Sequence, residues 1–204
     1  MTRPAIAVRA AVAADRPGVA QLLAHAFIDD PAMAHLFRNP ARRPAALRKF
    51  FTMIGRSDAT TDHWSLALDA AGVPVAVANW RPPGAWQTPV GVLLRLLPQL
   101  LATFGTALPR ALALQGQLEA HHPHVPHWYL QFAGCLPAAQ GRGFGGAAIR
   151  DQLARCDAQG LPVALETATP ANPGLYQALG FVVVDRFTIK GGPDFWTMWR
   201  EVGG

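Results

Sequence analysis

The chain has 204 residues; half of them are hydrophobic and 15% are charged. This composition supports the buried core of one domain and excludes an intrinsically disordered protein. Two cysteines are too few for a disulfide-stapled scaffold and favour a reducing compartment. Because the chain does not open on an apolar segment typical of a signal peptide, we expect a cytoplasmic protein.

The net charge of +5 is compatible with a nucleic acid, an acidic membrane surface or a polyanionic small ligand as a partner. The arginines are scattered, and no aromatic and basic motif typical of nucleic-acid binding accompanies them. The most apolar segment, residues 90–115, is interrupted by two arginines and two prolines, whereas a bilayer span needs about 20 apolar residues. We therefore expect neither a nucleic acid nor a membrane as a partner.

Hydrophobic spacing in the N-terminal half predicts a strand, several helices and a hairpin. Helical spacing begins after Asp15, which we expect to cap the first helix with Pro17 in its first turn. In chain order the predicted elements are a strand at 6–10, the helix that Asp15 caps, short helices near 33–37 and 47–55, and hairpin strands at 64–68 and 73–77.

The C-terminal half begins with a leucine-rich insertion, residues 90–119, which we expect to form two helices broken near Pro109. A long strand at 127–135 follows, with Trp128, Leu130 and Phe132 on one face. After it come a glycine-rich loop at 140–146, a helix, a strand at 163–168, a short helix that Asn172 caps, and strands at 181–189 and 195–200. This order of elements predicts one mixed α/β domain over residues 1–204.

The loop at residues 140–146 carries the strongest chemical signal of the chain. Glycines between a strand and a helix let backbone N–H groups converge on an anion, and the helix N-terminus adds partial positive charge. The loop therefore predicts a phosphate or pyrophosphate site, with a tight turn that binds nothing as the alternative. A dinucleotide fold fits poorly because about 60 residues after the loop are too few to complete a doubly wound sheet, and no Walker lysine follows.

The loop Gln140-Gly141-Arg142-Gly143-Phe144-Gly145 resembles the Q/R-x-x-G-x-G/A signature of the GNAT superfamily of acyl-CoA-dependent N-acetyltransferases. The likeness continues in the strand before the loop, which ends at Cys135-Leu136-Pro137. It also includes Asn172, Tyr176 and Gly180-Phe181, which resemble the family's N-x-x-x-x-Y-x-x-x-G-F element. The match runs from about residue 127 to the end of the chain, and the insertion at 90–119 carries no family motif.

The resemblance implies a mixed α/β fold with a central, mostly antiparallel, splayed β-sheet flanked by helices. It also implies acetyl-CoA as co-substrate, bound by the core at 127–200, with the pantetheine arm between the splayed strands. Tyr176 corresponds to the family's tyrosine near the thioester sulfur and would protonate the departing thiolate. The residues that the resemblance assigns to acetyl-CoA are Cys135, through its backbone N–H, the loop residues Gln140, Gly141, Arg142, Gly143, Phe144, Gly145 and Gly146, and Asn172 and Tyr176.

A direct transfer also needs a base that removes the proton of the acceptor amine. Several acidic and histidine side chains are available around the central strand, and we expect Glu119 and His122 to act; a solvated, proline-rich loop is the alternative for the histidines. The candidates are Glu119, His121, His122, His124, His127 and Glu166. The histidines lack the cysteine or acidic partners typical of a structural zinc site, so we expect no metal.

The function that these residues indicate is acetylation of a primary amine, for which we expect a small-molecule acceptor. The alternatives are acetylation of a protein N-terminus or lysine, and a non-catalytic CoA-binding sensory domain. We expect the insertion to wall the acceptor site through leucines such as Leu97 and Leu101, with Trp80 and Trp86 adding aromatic walls. The same leucines are suited to a contact between two copies, so the chain is predicted to be a monomer or a homodimer.

Overall fold

The computed structural model describes residues 5–57, 63–87 and 90–204, with Ser57, Val90 and Leu93 described in their backbone only. Within these residues the chain forms a seven-stranded sheet flanked by α-helices. The strands are β1 (Val8–Ala10), β2 (Trp64–Leu68), β3 (Pro74–Arg81), β4 (Trp128–Cys135), β5 (Val163–Thr167), β6 (Val182–Thr188) and β7 (Asp194–Arg200). The helices are α1 (Arg16–Ala26), α2 (Pro31–Leu36), α3 (Arg43–Ser57), α4 (Val90–Phe104), α5 (Leu108–His121), α6 (Phe144–Ala158) and α7 (Asn172–Gln177).

The strands are arranged in the order β1-β2-β3-β4-β5-β7-β6, and β4 and β5 are parallel while the other neighbours are antiparallel. The parallel pair is joined at two positions, Trp128 with Val163 and Tyr129 with Ala164. Beyond them the two strands diverge, so a slot opens in the middle of the sheet. The predicted fold class, a mixed α/β fold with a splayed and mostly antiparallel sheet, is confirmed.

Each face of the sheet carries its own hydrophobic core. Helices α1, α2, α3 and the insertion cover one face, and α6 with the segment after α7 covers the other. The largest fully buried side chains of the first core are Leu23, Leu47, Phe51, Leu66 and Val77, and those of the second are Trp80, Ile149, Leu165, Phe181 and Met198.

The predicted alternation of faces along β4 fails at Gln131, where a β-bulge interrupts the pairing with β3. Asn79 of β3 pairs with Phe132 and the next residue pairs with Leu130, so Gln131 has no partner on β3. An unpaired residue reverses the side-chain alternation, and Leu130 and Phe132 therefore pack into opposite cores. The bulge lies directly beside the slot and turns Phe132 towards α1 and α3.

Helix α1 lies very close to β4 at Gly134. A Cβ atom at this position would lie 2.9 Å from Leu23 Cδ2 and 3.0 Å from Ala26 Cβ, closer than packed atoms allow. A side chain at residue 134 would therefore push α1 away from the slot that β4 borders.

Two predicted helix caps are wrong. The Asp15 carboxylate accepts hydrogen bonds from the Val12 N–H and from Arg9, before α1 begins. The Asn172 side-chain amide donates to Thr167 Oγ1 and caps no helix. Both side chains found partners in neighbouring segments of the chain, which local spacing does not reveal.

The insertion forms two helices, as predicted, and a 3₁₀ turn at Gly105–Ala107 separates them, so that Pro109 lies in the first turn of α5. None of the described helices is long and apolar enough to cross a membrane. Two parts of the chain lie outside the residues that the structure describes. They are residues 1–4, to which the prediction of no signal peptide refers, and the side chain of Leu93 in the insertion.

Candidate active site

A cavity of about 190 Å³ lies where β4 and β5 diverge. Its polar lining comes from β4, β5, α5 and α7 and from the turn before α2, and its apolar lining comes mainly from helices on the α1 face. The polar and titratable lining residues are Asp30, Gln115, Tyr129, Gln131, Glu166, Thr167, Asn172 and Tyr176. The aromatic lining residues besides the tyrosines are Phe27, Phe50, Phe104, Phe132 and Phe195.

The insertion borders this cavity, as predicted, but through residues other than the expected ones. The lining residues of the insertion are Phe104, Ala111, Leu114, Gln115 and Leu118. Leu97 and Leu101 point away from the protein and are 45% and 52% exposed. Trp80 is buried in the core on the α6 face and does not reach the cavity. The expectation for Leu97, Leu101 and Trp80 is therefore wrong.

Tyr176 lies on α7 and faces the cavity with its ring packed against Phe181, at 5.9 Å between ring centroids. Burial, together with the nearby Asp30 carboxylate, raises the pKa of the Tyr176 phenol to about 12. A phenol with this pKa keeps its proton at neutral pH. Tyr176 is therefore placed and protonated as a proton donor within the cavity.

Asp30 precedes α2 and lines the cavity on the same side as Tyr176. Its Oδ1 accepts from the Met33 N–H at 3.0 Å, and its Oδ2 accepts from the Thr169 hydroxyl at 3.1 Å. Burial raises the pKa of Asp30, and the Met33 N–H offsets part of this effect. Both oxygens are thus satisfied, and Asp30 adds an acidic wall to the cavity.

A second carboxylate, Glu166 on β5, is almost completely buried. Its side chain is 1% exposed, and its Oε1 lies 2.9 Å from Nδ1 of His122, whose side chain is 3% exposed. Oε2 of Glu166 is also buried and makes no well-formed hydrogen bond with the described residues, although the Tyr129 phenol interacts with the same carboxylate. A buried carboxylate oxygen without a donor is costly in a folded protein, so this atom is a candidate contact for a cationic or N–H-bearing ligand.

Aromatic side chains surround the Glu166–His122 pair. The Trp86 ring stacks on His122 at 4.1 Å, and the Tyr129 ring contacts its edge at 4.8 Å. Burial and the Glu166 carboxylate raise the pKa of the Tyr129 phenol well above its usual range. Trp86 therefore covers His122 and does not line the cavity, so the prediction that it forms an aromatic wall of the site is wrong.

The remaining candidate bases lie away from the cavity. Glu119 accepts a hydrogen bond at 2.9 Å from Gln115, which lines the cavity, but Glu119 itself is not among the lining residues. His121 pairs with Asp185 at 2.6 Å, and His124 is exposed. Of the predicted bases, Glu166 is the one that lines the cavity, whereas the role of Glu119 stays a prediction. Among the described residues, no three His, Cys, Asp or Glu side chains are arranged to bind a metal.

The free edge of β4 presents backbone N–H groups to the slot. The Leu136 N–H donates to Val75 on β3 at 2.9 Å, and successive N–H groups of a strand point to opposite sides. The Cys135 N–H therefore points into the slot, as the predicted polarising group requires. Burial raises the pKa of the Cys135 thiol, while the Gly145 N–H acts in the opposite direction, so the thiol is not an activated nucleophile.

The loop at residues 140–146 leads from β4 into α6 and has the geometry of an anion cradle. Gly141 and Gly143 have φ values of +71° and +90°, which residues with a Cβ atom rarely adopt. The first N–H that bonds within α6 is that of Ala147, which donates to the Gly143 oxygen. Of the N–H groups before it, that of Gln140 donates to the Pro137 oxygen and that of Gly145 to the Cys135 thiol. The others in the loop are available to an anion at a helix N-terminus, and the exposed Arg142 lies beside them.

Asn172 lies at the start of α7 and lines the cavity next to Thr167. Because its amide nitrogen donates to Thr167 Oγ1, the amide oxygen is the atom that remains for a ligand. The lining residues that the sequence analysis did not assign to the site include Asp30, Tyr129, Gln131 and Phe132. Tyr129 could have been found, because it stands on the predicted central strand beside the histidines, whereas the position of Asp30 depends on how α2 folds back.

No family model matches the chain. Among solved structures, it is similar to the histone acetyltransferase HPA2 and related acetyltransferase of Corynebacterium glutamicum, with 27% identity, a TM-score of 0.75, and coverage of 98% of this chain and 97% of that one. It is also similar to the Drosophila melanogaster polyamine N-acetyltransferase, with 18% identity, a TM-score of 0.65 and coverage of 97% and 100%. A third similar structure is a GNAT superfamily phosphinothricin acetyltransferase from Sinorhizobium meliloti in complex with AcCoA, with 18% identity, a TM-score of 0.54 and coverage of 97% and 89%.

At these identities the second and third likenesses establish the fold. The C. glutamicum structure adds sequence identity over nearly the whole length of both chains. The splayed sheet, the glycine-rich loop before α6 and the tyrosine on α7 occur together here, as the loop and tyrosine motifs predict. The likeness to the C. glutamicum acetyltransferase supports the predicted assignment of the chain to the GNAT superfamily of N-acetyltransferases.

Proposed function

We propose that this chain transfers the acetyl group of acetyl-CoA to the primary amine of a small molecule that carries an apolar body. The observation that carries the proposal is that one cavity contains both a protonated phenol, Tyr176, and a buried carboxylate, Glu166, between apolar walls. Proton removal from an amine and proton donation to a departing thiolate need two such groups within one site.

The residues present fit acetyl-CoA in two places. The loop at 140–146 offers N–H groups and positive-φ glycines to a pyrophosphate, and the slot beside β4 offers unpaired strand N–H groups to an amide-containing arm. When bound, the co-substrate supplies an acyl group activated as a thioester. The Cys135 N–H would then donate to the thioester carbonyl oxygen and stabilise its developing negative charge.

Two side chains would handle the protons. Glu166 Oε2 would accept the proton of the acceptor ammonium and leave a neutral amine with a free electron pair. Tyr176 would donate its phenolic proton to the sulfur as the C–S bond breaks. Holding both groups around the amine makes the attack effectively unimolecular, which accounts for part of the rate.

The charge and shape of the cavity support a compact cationic acceptor. Two carboxylates, Asp30 and Glu166, line it although the protein as a whole is basic. The insertion covers it with Phe104, Leu114 and Leu118, which favours a walled pocket over an open groove for a peptide. The D. melanogaster neighbour, which forms N-acetylagmatine, acts on a small amine. A peptide lysine is the second candidate, because the C. glutamicum neighbour is named as a histone acetyltransferase relative.

The acceptor is tested by following release of free thiol from acetyl-CoA with a panel of amines. The panel contains an arylalkylamine, an alkyl monoamine, a diamine and a lysine-rich peptide. We expect the highest kcat/KM for an amine with an apolar body. Turnover of the peptide alone would favour the second candidate, and CoA binding without turnover of any amine would favour a sensory domain.

We predict that Gly143→Val lowers the affinity for CoA at least tenfold, or about 1.4 kcal/mol. The φ of +90° at Gly143 strains a β-branched residue, and the added side chain blocks the approach of the pyrophosphate. The matched control is Gly160→Val, at the other end of α6, where φ is +65° and no atom lies within 4 Å of an added Cβ. Titration calorimetry with CoA should separate the two variants, and equal affinities would contradict the loop assignment.

We predict that Leu118→Ala raises the KM of the acceptor by about tenfold and leaves the KM of acetyl-CoA unchanged. Leu118 lines the cavity on the insertion side, and loss of its apolar contact weakens binding of the acceptor body. Leu101→Ala is the matched control, because Leu101 is 52% exposed and outside the cavity. If Leu101→Ala instead changed sedimentation without changing either KM, the exposed face of α4 would belong to a contact between copies.

A further inference from the structure

Behind Glu166, a chain of hydrogen bonds passes through two buried histidines and ends at a backbone carbonyl. His122 Nε2 lies 3.0 Å from His127 Nε2, and the two residues are 4% and 3% exposed. His127 Nδ1 lies 2.6 Å from the Val125 oxygen. The solvated loop, which was the alternative for the histidines, holds for His124 but not for these two residues.

The Val125 carbonyl, at one end of the hydrogen-bond chain, determines where each hydrogen lies. A carbonyl oxygen only accepts, so His127 Nδ1 carries a hydrogen and donates it to Val125. Neutral His127 then has a lone pair at Nε2, and His122 Nε2 must be the donor in the 3.0 Å contact. The tautomers of both rings therefore follow from the Val125 carbonyl together with the neutral state of His127, which its burial favours.

The other end of the hydrogen-bond chain requires one more hydrogen, between His122 and Glu166. His122 Nδ1 and Glu166 Oε1 are 2.9 Å apart, and His122 already carries a hydrogen on Nε2. The two side chains therefore share one proton, as imidazolium with carboxylate or as imidazole with carboxylic acid. Oε1 is engaged with His122 in either form, and Oε2, which makes no well-formed hydrogen bond, is the oxygen that faces the Tyr129 phenol or a ligand.

We propose that His127 is a positioning residue for acetyl transfer: it fixes the direction of this hydrogen-bond chain, holds His122 Nδ1 on Glu166 Oε1, and thereby keeps Oε2 free to take the proton of the acceptor. The inference rests on the proposed function. The acceptor ammonium gives one proton to Oε2 and retains the electron pair that attacks the thioester. The total charge of the ammonium, Glu166 and His122 is unchanged by this step.

The groups that face the histidine pair come from three strands and one loop. Glu166 on β5 and Tyr129 on β4 face His122, and Trp86 covers its ring. Trp199 on β7 contacts the His127 ring at 5.5 Å. Arg81 on β3 acts on the Tyr129 phenol. Burial lowers the pKa of His127, which agrees with a neutral ring that accepts from His122.

Two variants of His127 separate hydrogen-bond polarity from packing. His127→Gln can place a carbonyl oxygen near the Nε2 position and still accept from His122, whereas His127→Phe fills the space without an acceptor and leaves the His122 Nε2–H buried and unpaired. We expect His127→Phe to lower kcat at least about tenfold, within the range of general-base contributions, and to shift the acidic limb of the pH profile. His127→Gln should keep most of kcat, and both variants should keep the acceptor KM.

Equal loss in the two variants, or full kcat in His127→Phe, would overturn the proposal. Nitrogen NMR of the ¹⁵N-histidine-labelled wild-type protein tests it without a substitution. The spectrum should show His127 protonated on Nδ1 and bare on Nε2, and a His127 protonated on Nε2 would also overturn it. Failure of the proposed function has a different signature, because the wild-type protein would then acetylate no amine whatever the tautomers of the two rings.

Discussion

Tyr176→Phe is expected to lower kcat by about 10²–10⁴-fold, the usual contribution of a positioned general acid, while the affinity for CoA stays nearly unchanged. The phenyl ring keeps its contact with Phe181, so only the proton donor is lost. The departing thiolate must then obtain its proton from water. Stopped-flow measurement of thiol release together with CoA titration separates the chemical step from binding.

The pKa of Tyr176 gives this prediction a pH dependence. The phenol donates only in its protonated form, and with a pKa of about 12 that form persists from about pH 6 to about pH 10. Deprotonation of Tyr176 should therefore cause no fall in the kcat of the wild-type protein within this range. Any alkaline fall in kcat should appear equally in Tyr176→Phe. Full activity of a folded Tyr176→Phe protein would mean that solvent protonates the thiolate and that Tyr176 only packs.

The fold could largely be predicted from the sequence because its signals are local. Alternation and turn residues gave the order of strands and helices, and the glycines at 141 and 143 occupy positive-φ positions that few other residues adopt. The bulge at Gln131 has no comparable local signal. It depends on how β3 and β4 meet, and it decides that Phe132 faces the cavity side of the sheet.

The base could not be selected from the sequence, because its environment is built by long-range contacts. Glu119 and Glu166 are equivalent as residue types, but Glu119 on α5 is bonded to Gln115 and does not line the cavity, while β5 places Glu166 beside a residue 44 positions away, His122. Their burial differs for the same reason. Trp86, from a third segment, completes the enclosure of His122, and no periodicity connects it with the other two.

The same long-range packing explains why the insertion has two different faces. Leu114 and Leu118 on α5 turn inward to the cavity, and Leu94, Leu97 and Leu101 on α4 remain on the outside. The excess of leucine over one helical face is visible in the sequence, but the side that meets the sheet is decided by the neighbours of α4 and α5. The pocket function and a contact between copies would therefore use separate residues of one segment.

Glu166→Gln is expected to have an effect as large as that of Tyr176→Phe, a loss of about 10²–10⁴-fold in kcat/KM for the acceptor. The amide has nearly the shape of the carboxylate, and its nitrogen can donate to Nδ1 of His122, which carries its hydrogen on Nε2, so the buried contact at 2.9 Å is retained. The amide oxygen, then in the position of Oε2, is too weakly basic to take a proton from the ammonium. Steady-state kinetics over a range of pH should show the loss at every pH at which the wild-type protein is active.

The matched control is Glu119→Gln, which makes the same chemical change on α5 at a side chain that is bonded to Gln115 and does not itself line the cavity. We expect this variant to keep the wild-type kcat/KM. A Glu166→Gln protein that binds CoA normally and retains full activity would show that another group or bulk water removes the proton. A loss in Glu119→Gln without one in Glu166→Gln would return the base to α5, because a change of net charge alone acts equally in both variants.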